Sequence, residues 1–377
     1  MSMQIDKVSF ASVEVTPRTT WYFAEIVNSN GLMTVVEFTK GASSVEVAKL
    51  IQNILTHLSG KLVDTEADIE SILNYDRILD GRSVEAAAIS AIRTAITQLS
   101  SMEKGISLGH MLGGSGIKNI PVYANINRSL FATDRTPRDF AVAAEDAAKQ
   151  NFSIIKCAPF DEVNPLEAPT DILKAADIGL ARVNAIRSSV GESITILIDC
   201  HSRFTTETAS HIAEKLEALS IGWFEEPLSP NDYGRALSEL VNNVSIPLAG
   251  GETGYGQLFF DGLLSNGSVE IIMPDIKYCG GVSESVRIGR SALSVGGSFS
   301  LHSPSGPVSL LASAHATAAV KGSMALEHAV FESDWRYEIT DPPEVIKDGH
   351  IQLHEGPGLG VGLNREVISK RGEIFPV

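Results

Sequence analysis

Apolar positions fall into two rhythms along this chain. Up to about residue 118, strand-like stretches at 6–15 and 20–28 flank a turn at Thr16-Pro17-Arg18, and a second turn at 28–31 leads into a third stretch at 32–38. Helical patterns follow at 43–58, 66–74 and 82–103, the last rich in alanine. This mixture predicts an α+β unit over residues 1–118, punctuated near its end by HMLGGSG (110–116). From about residue 120 short β-rich runs alternate with helical stretches. The runs are PVYANI (121–126), FSIIKC (152–157), ITILID (194–199), IGWFE (221–225), SIPLAG (245–250), VEIIMPD (269–275), GSFSLH (297–302) and MALEH (324–328). Eight strands with seven helices between them are the pattern of parallel βαβ units, and eight units predict a closed (β/α) barrel over an open doubly wound sheet. No GxGxxG opens a helix after the first of them, so a dinucleotide fold has little support. The barrel is expected over 119–330, and the tail 331–377 reads as loop and strand with GPGLGVGL (356–363) as its clearest feature.

Composition narrows the partners. With 377 residues and 44% hydrophobic content the chain has ample material for a core, and it contains no apolar run long enough for a membrane span. Its start, MSMQIDKVSF, lacks a secretory pattern, and three scattered cysteines make no disulfide framework; both point to a reducing cytoplasm. A net charge of −16 argues against nucleic acid or an anionic membrane as the partner. It leaves a small anionic substrate open, because a bound metal ion would dominate the local field.

The chemistry is expected at the C-terminal ends of the barrel strands. There the apolar runs finish, one after another, in ionisable residues: Lys156, Asp199 with His201, Glu225, Asp275, His302 and Glu327, while Glu252 follows the fifth run. Side chains two apart on an extended segment share a side, which places Asp199 and His201 together. Asp199, Glu225 and Glu252 come from adjacent strands, and clustered carboxylates repel one another unless a cation or proton joins them. A hard divalent cation with oxygen ligands resolves this, and Mg2+ suits such a set best.

These residues together resemble the enolase superfamily, in its mandelate-racemase-type branch. The likeness rests on Asp199 in LIDCH, Glu225 in WFEEPL, Glu252 in GGET, Asp275 in MPDIKYCGG, His302 in LHSPSGP and PGLG at 357–360. It implies a (β/α)7β barrel with an N-terminal capping domain that the C-terminal segment returns to, assembled as a homo-oligomer. It further implies Mg2+, with Mn2+ as the alternative, on Asp199, Glu225 and Glu252, with Glu226 behind them. His302, oriented by Asp275, would be the base that removes the proton α to a substrate carboxylate. Glu327 would hydrogen-bond a carboxylate oxygen of the substrate, with Glu332 close behind it as the other candidate.

The second and third strand ends select the reaction. Racemases of this branch carry Lys-x-Lys where this chain has Lys156-Cys157-Ala158, so the base for the opposite face is missing. Asp199-Cys200-His201, followed by Arg203, is similar to galactonate and mannonate dehydratases, in which that histidine assists departure of a β-hydroxyl. Their His-x-Pro-x-Gly-Pro is matched by His302-Ser-Pro-Ser-Gly-Pro. The resemblance therefore implies a hydro-lyase acting on a sugar acid and giving a 2-keto-3-deoxy acid. The alternatives are a racemase, epimerase or lactone cycloisomerase of the same superfamily, or a catalytically silent metal-binding homologue. Candidate substrate contacts are Arg18 and Trp21 in a lid-like turn, Tyr123, Asn125 and Arg128 at the first barrel strand, and Arg203. Two departures, MTVVEF near residue 35 and Gln98-Leu99 in the long helix, lie in the cap.

Overall fold

The computed structural model describes residues 3–63, 65–73 and 80–377, so the last residue of the helix expected over 66–74 lies outside the described residues. Three antiparallel strands open the chain: β1 (Ile5–Thr16), β2 (Thr19–Asn28) and β3 (Met33–Glu37). Helices α1 (Ser44–Leu58), α2 (Glu66–Leu73) and α3 (Val84–Glu103) follow. Buried Val47, Ile51, Ile54, Leu55 and Leu58 recur at helical spacing along α1 and turn one stripe of it inward. By contrast α3 is buried from Ala86 to Ser101, and its small side chains let neighbours approach on every side. Ser83 starts it by accepting the Ala86 N–H.

A short helix, α4 (Leu108–Met111), precedes the barrel. The barrel strands are β4 (Asn119–Asn125), β5 (Ile154–Cys157), β6 (Thr195–Asp199), β7 (Ile221–Glu225), β8 (Leu248–Gly250), β9 (Ile271–Ile272), β10 (Ser298–Phe299) and β11 (Leu326–Ala329). Between them run α5 (Pro137–Lys149), α6 (Pro169–Val190), α7 (Thr206–Glu217), α8 (Asn231–Leu240), α9 (Gly256–Ser265), α10 (Val282–Ser294) and α11 (Pro307–Ala319). Each strand from β4 to β9 pairs in parallel with the next, and β11 pairs in parallel with β4. Met324 N donates to Phe299 O at 2.9 Å, which joins β11 to β10 and closes the ring. The fold is thus a (β/α)7β barrel with an N-terminal α+β unit. Alternation sends Tyr123, Leu197, Trp223, Ala249 and Ile271 into the barrel interior. Ile196, Ile198 and Phe224 face the helices instead.

Two sequence expectations change. The runs 269–275 and 297–302 keep only two ladder residues each, although Met273 N still bonds Gly250 O and His302 N bonds Pro274 O. Pro274 interrupts the first, since it brings no N–H to the ladder. The tail is not all loop and strand: it contains α12 (Arg365–Arg371), started by Asn364 accepting from the backbone of Glu366 and Val367. Before that helix a hairpin at 346–352 adds antiparallel to the first half of β4. After it Gly372–Phe375 pairs with β1. No helix among the described residues is long and apolar enough to cross a membrane.

Gly179 lets α6 lie close to the segment that follows β5. A Cβ there would collide with the Phe160 ring and stand 2.9 Å from the Pro159 carbonyl oxygen. Overpacking of this kind costs about 1–3 kcal/mol, against at most about 1 kcal/mol gained from helix propensity. Gly179→Ala is therefore expected to destabilise the protein by about 1–2 kcal/mol, read from the urea midpoint; a stabilised variant would contradict the close approach.

Candidate active site

Asp199 and Glu225 stand side by side, since the parallel register of β6 and β7 pairs them directly. Below them Lys156, at the end of β5, is fully buried. Its ammonium lies 2.6 Å from Glu225 Oε1, 2.9 Å from Glu327 Oε1 and 3.9 Å from Asp199 Oδ2. Trp223, in the barrel interior, donates its indole N–H to Glu225 Oε2 at 3.0 Å. Glu252 comes from the loop after β8, where Gly251 takes a φ of +103°.

The backbone just past Asp199 leaves the extended region. His201 (φ 48°), Ser202 (φ 59°) and Glu226 (φ 38°) all lie at positive φ, each costing on the order of 1–3 kcal/mol for a residue with a Cβ. Bonds from Cys200 N to Glu225 O and from Ser202 N to Glu226 O hold the two turns together. His201 Nε2 consequently folds back to 3.0 Å from Asp199 Oδ2, while its own N–H meets Oδ1 at 3.1 Å. The pairing expected from strand alternation exists, but a left-handed turn produces it.

Across the barrel mouth, His302 Nδ1 lies 3.0 Å from Asp275 Oδ2 and Nε2 lies 2.9 Å from Glu252 Oε2. Asp275 is held by a residue that sequence reasoning passed over. Lys277 Nζ stands 3.1 Å from Asp275 Oδ2, and its backbone N–H donates to Oδ1 at 2.8 Å. Lys277 follows Asp275 by two positions, as His201 follows Asp199, so the same spacing could have found it.

Residues 139–367 match the enolase C-terminal domain-like family. The chain belongs to this family. It is 29% identical over 293 residues to a D-gluconate/D-galactonate dehydratase of Picrophilus torridus, an alignment covering 77% of this chain and 72% of that one. It is 24% identical to a D-galactonate dehydratase of Pectobacterium atrosepticum over 99% of this chain and 96% of the relative. A crystal structure of an enolase superfamily member from Salmonella Typhimurium superposes with a TM-score of 0.85 at 23% identity, over 99% of this chain and all of that one.

Electrostatics in this enolase-family site are dominated by burial and mutual repulsion. Burial, aided by Asp199, Glu327 and Glu252, drives the Glu225 carboxyl up to about 8 in spite of Lys156. Burial and the charge on Glu252 likewise raise Glu226 to about 8. Asp199 feels the same burial, but His201 and Lys156 outweigh it and hold it far below the ordinary carboxylate range. The Asp199 charge in turn lifts His201 to about 9, with Glu252 contributing. Burial pulls His302 down, yet Glu252, Glu327 and Asp275 together push it well above the usual imidazole value.

The donor set suits a hard divalent cation: Asp199, Glu225 and Glu252 offer only oxygens, and each of the three raises the cost of ionising another. As the side chains stand, no group of three or more His, Cys, Asp or Glu among the described residues is gathered closely enough to hold a metal. Lys156, His201 and His302 each hold one of the three carboxylates. Local cations thus satisfy only part of the negative charge that the strand ends bring together.

The remaining candidates separate. Glu327 is fully buried and accepts from Lys156, from Asn125 Nδ2 at 2.7 Å and from Ser303 N at 2.9 Å. Both its oxygens are engaged within the protein as the side chains stand. Tyr123 and Trp21 have no exposed surface. The first packs edge-on against Trp223 in the barrel interior, and the second lies under the Arg336 guanidinium. Alternation and tertiary packing, not substrate, occupy those two rings. Arg203 donates to the Val163 carbonyl, and the exposed Arg18 lies over the Phe131 ring at 5.5 Å. Arg128 joins Glu332 at 3.0 Å.

Lys156 is the only ammonium among the described residues that reaches Glu225 and Glu327. Lys156→Met would leave these carboxylates buried without it, and breaking a buried pair in this way costs about 3–5 kcal/mol. Urea unfolding in the presence of chelator is expected to show a loss of that size, whereas an unchanged midpoint would mean the ammonium does not carry the charge balance.

Proposed function

We propose that the protein is a hydro-lyase that removes the α-proton of a sugar acid and then expels the β-hydroxyl as water, leaving a 2-keto-3-deoxy acid. The observation that carries this reading is the pair of imidazoles at the barrel mouth, each held against a different carboxylate. His302 Nε2 lies 2.9 Å from Glu252 Oε2, and His201 Nε2 lies 3.0 Å from Asp199 Oδ2. One imidazole for proton removal and a second for hydroxyl departure are what β-elimination needs. The names of the relatives, D-gluconate/D-galactonate and D-galactonate dehydratase, support the same class of reaction.

In this reading Asp199, Glu225 and Glu252 hold a divalent cation, Mg2+ or in its place Mn2+, which supplies the positive charge a substrate carboxylate needs as its α-proton leaves. His302 acts as a base only through an unprotonated Nε2, so Glu252 must give up its contact there when substrate enters. Asp275 keeps the opposite ring nitrogen, Nδ1, as the proton-bearing one and fixes the ring plane. Lys277 keeps Asp275 in place from behind. His201 donates its proton to the departing hydroxyl, and its 44% side-chain exposure lets it reach a ligand in the mouth. Hydroxide is a poor leaving group, and a positioned acid of this kind gives about 10²–10⁴-fold. Racemisation lacks support, because Ala158, two places after Lys156, offers no second base and is buried.

Incubation with mono- and diacid sugars and Mg2+ should yield a 2-keto acid from at least one, with loss of water by mass spectrometry; no product from the whole set would count against dehydration. His302→Asn is expected to abolish both turnover and exchange of the α-proton with deuterated solvent. His201→Asn should stop water loss while retaining part of that exchange, and equal loss in both variants would refute the division of roles. EDTA should inactivate the enzyme, with activity restored by Mg2+; survival of activity through exhaustive chelation would remove the cation from the mechanism.

A further inference from the structure

Two tiers of polar side chains stand at the ends of β4 and β11, and only the lower one borders the proton-transfer residues. In that lower tier Asn125 donates to Glu327, beside Lys156 and His302. Further along the same two chain segments, Arg128 Nη1 donates to Glu332 Oε1 at 3.0 Å and to Thr19 Oγ1 at 3.2 Å. Thr19 begins β2, so this upper tier is bonded to the N-terminal sheet.

The Arg128–Glu332 contact uses one carboxylate oxygen, as do those of Arg93 with Glu284 and Arg135 with Asp161, while other pairs use both. Arg336 grips Glu344 through both carboxylate oxygens, at 2.9 and 3.2 Å. Arg365 grips Glu25 the same way at 2.7 and 2.6 Å, and Arg182 grips Glu162 at 2.7 and 2.7 Å. Those are the two-pronged contacts that an arginine serving only to tie segments together readily makes. Arg128 takes one oxygen of Glu332 and shares its Nη1 with Thr19. The Glu332 side chain is only 1% exposed, and its Oε2 meets no donor among the described residues. A buried carboxylate oxygen left without a donor is costly, so a donor supplied from outside the protein is the natural complement.

The geometry points to Glu332 as the acceptor for a hydroxyl on the substrate chain beyond the reacting carbons, with Arg128 as the residue that orients it. This rests on the sugar-acid reading and narrows it. A polyol tail offers the O–H that Oε2 lacks, whereas a second terminal carboxylate would bring oxygen against oxygen. The site is thus built for a mono-acid with a hydroxylated tail rather than for a diacid.

The test compares affinities by calorimetry with Mg2+ present, using D-gluconate, D-galactonate, D-xylonate and D-arabinonate as hydroxylated probes, glycerate as the tail-less one and D-glucarate as the diacid. Wild-type protein should bind at least one hydroxylated mono-acid more tightly than glycerate and more tightly than D-glucarate. Glu332→Ala should shrink the preference over glycerate by roughly 10- to 100-fold, the size of a hydrogen bond to a charged group. Glu332→Gln, which keeps an oxygen for Arg128, should lose less, and it carries the test if thermal unfolding shows that the alanine variant does not fold. A preference unchanged in the folded variants, a wild-type protein indifferent to the tail, or tighter binding of the diacid would overturn the assignment. Tail recognition that depends on Glu332 without water loss from any acid would leave this subsite standing and fault the reaction instead.

Discussion

The ammonium of Lys156, sealed at the top of an apolar barrel, is the charge on which the site depends. Three carboxylates face it, at 2.6, 2.9 and 3.9 Å. One positive charge cannot balance three negative ones where the surroundings screen poorly. The neighbouring residues are arranged around that deficit. His201 is bent back on a left-handed turn to meet Asp199, Trp223 lends an N–H to Glu225, and His302 leans on Glu252. Burial first, and after it the neighbouring carboxylates, drives carboxyls as different in position as Glu225 and Glu226 up to about 8. A barrel provides such a place because its strands all deliver their last residues to one rim, and the helices outside supply the apolar packing.

Much of this was legible in the sequence, and for a physical reason. Strands that are apolar along most of their length and charged only at the end do not owe those charges to packing, so Asp199, Glu225 and His302 could be placed from the pattern alone. What failed depended on tertiary contacts. Nothing local reveals that the Trp21 ring is covered by Arg336, whereas the alternation that turns Tyr123 into the barrel interior was there to be read. That Asn125 and Ser303 hold Glu327 was not legible either, because those partners lie far away in sequence. The missed helix α12 is a different error. Asn364 before it, Glu366 in its first turn and Lys370 with Arg371 in its last are start and stop signals that could have been used.

The cap is tied to the rim by contacts that reach the loops carrying His302 and Asp275. Glu37, at the end of β3, accepts from the backbone N–H groups of Gly306 and Ser309 at the start of α11, just after the loop that carries His302. Gly306 has no room for a side chain, since a Cβ would meet Glu37 and the Trp21 ring. Tyr278, three residues past Asp275, donates its hydroxyl to Thr39 O in the cap. Both halves of the His302–Asp275 pair therefore have a cap residue anchored to their own loop.

The strand Gly372–Phe375 lies beside β1, which puts the earliest and latest described strands of the chain in one small sheet. During synthesis β1 and β2 leave the ribosome long before their outer partner exists, and the free edge of β1 must wait through the making of the whole barrel. An open edge is a template for mispairing with other chains. The edge of β1 is therefore covered only once residues 372–375 have been made, and until then that sheet lacks its outer strand.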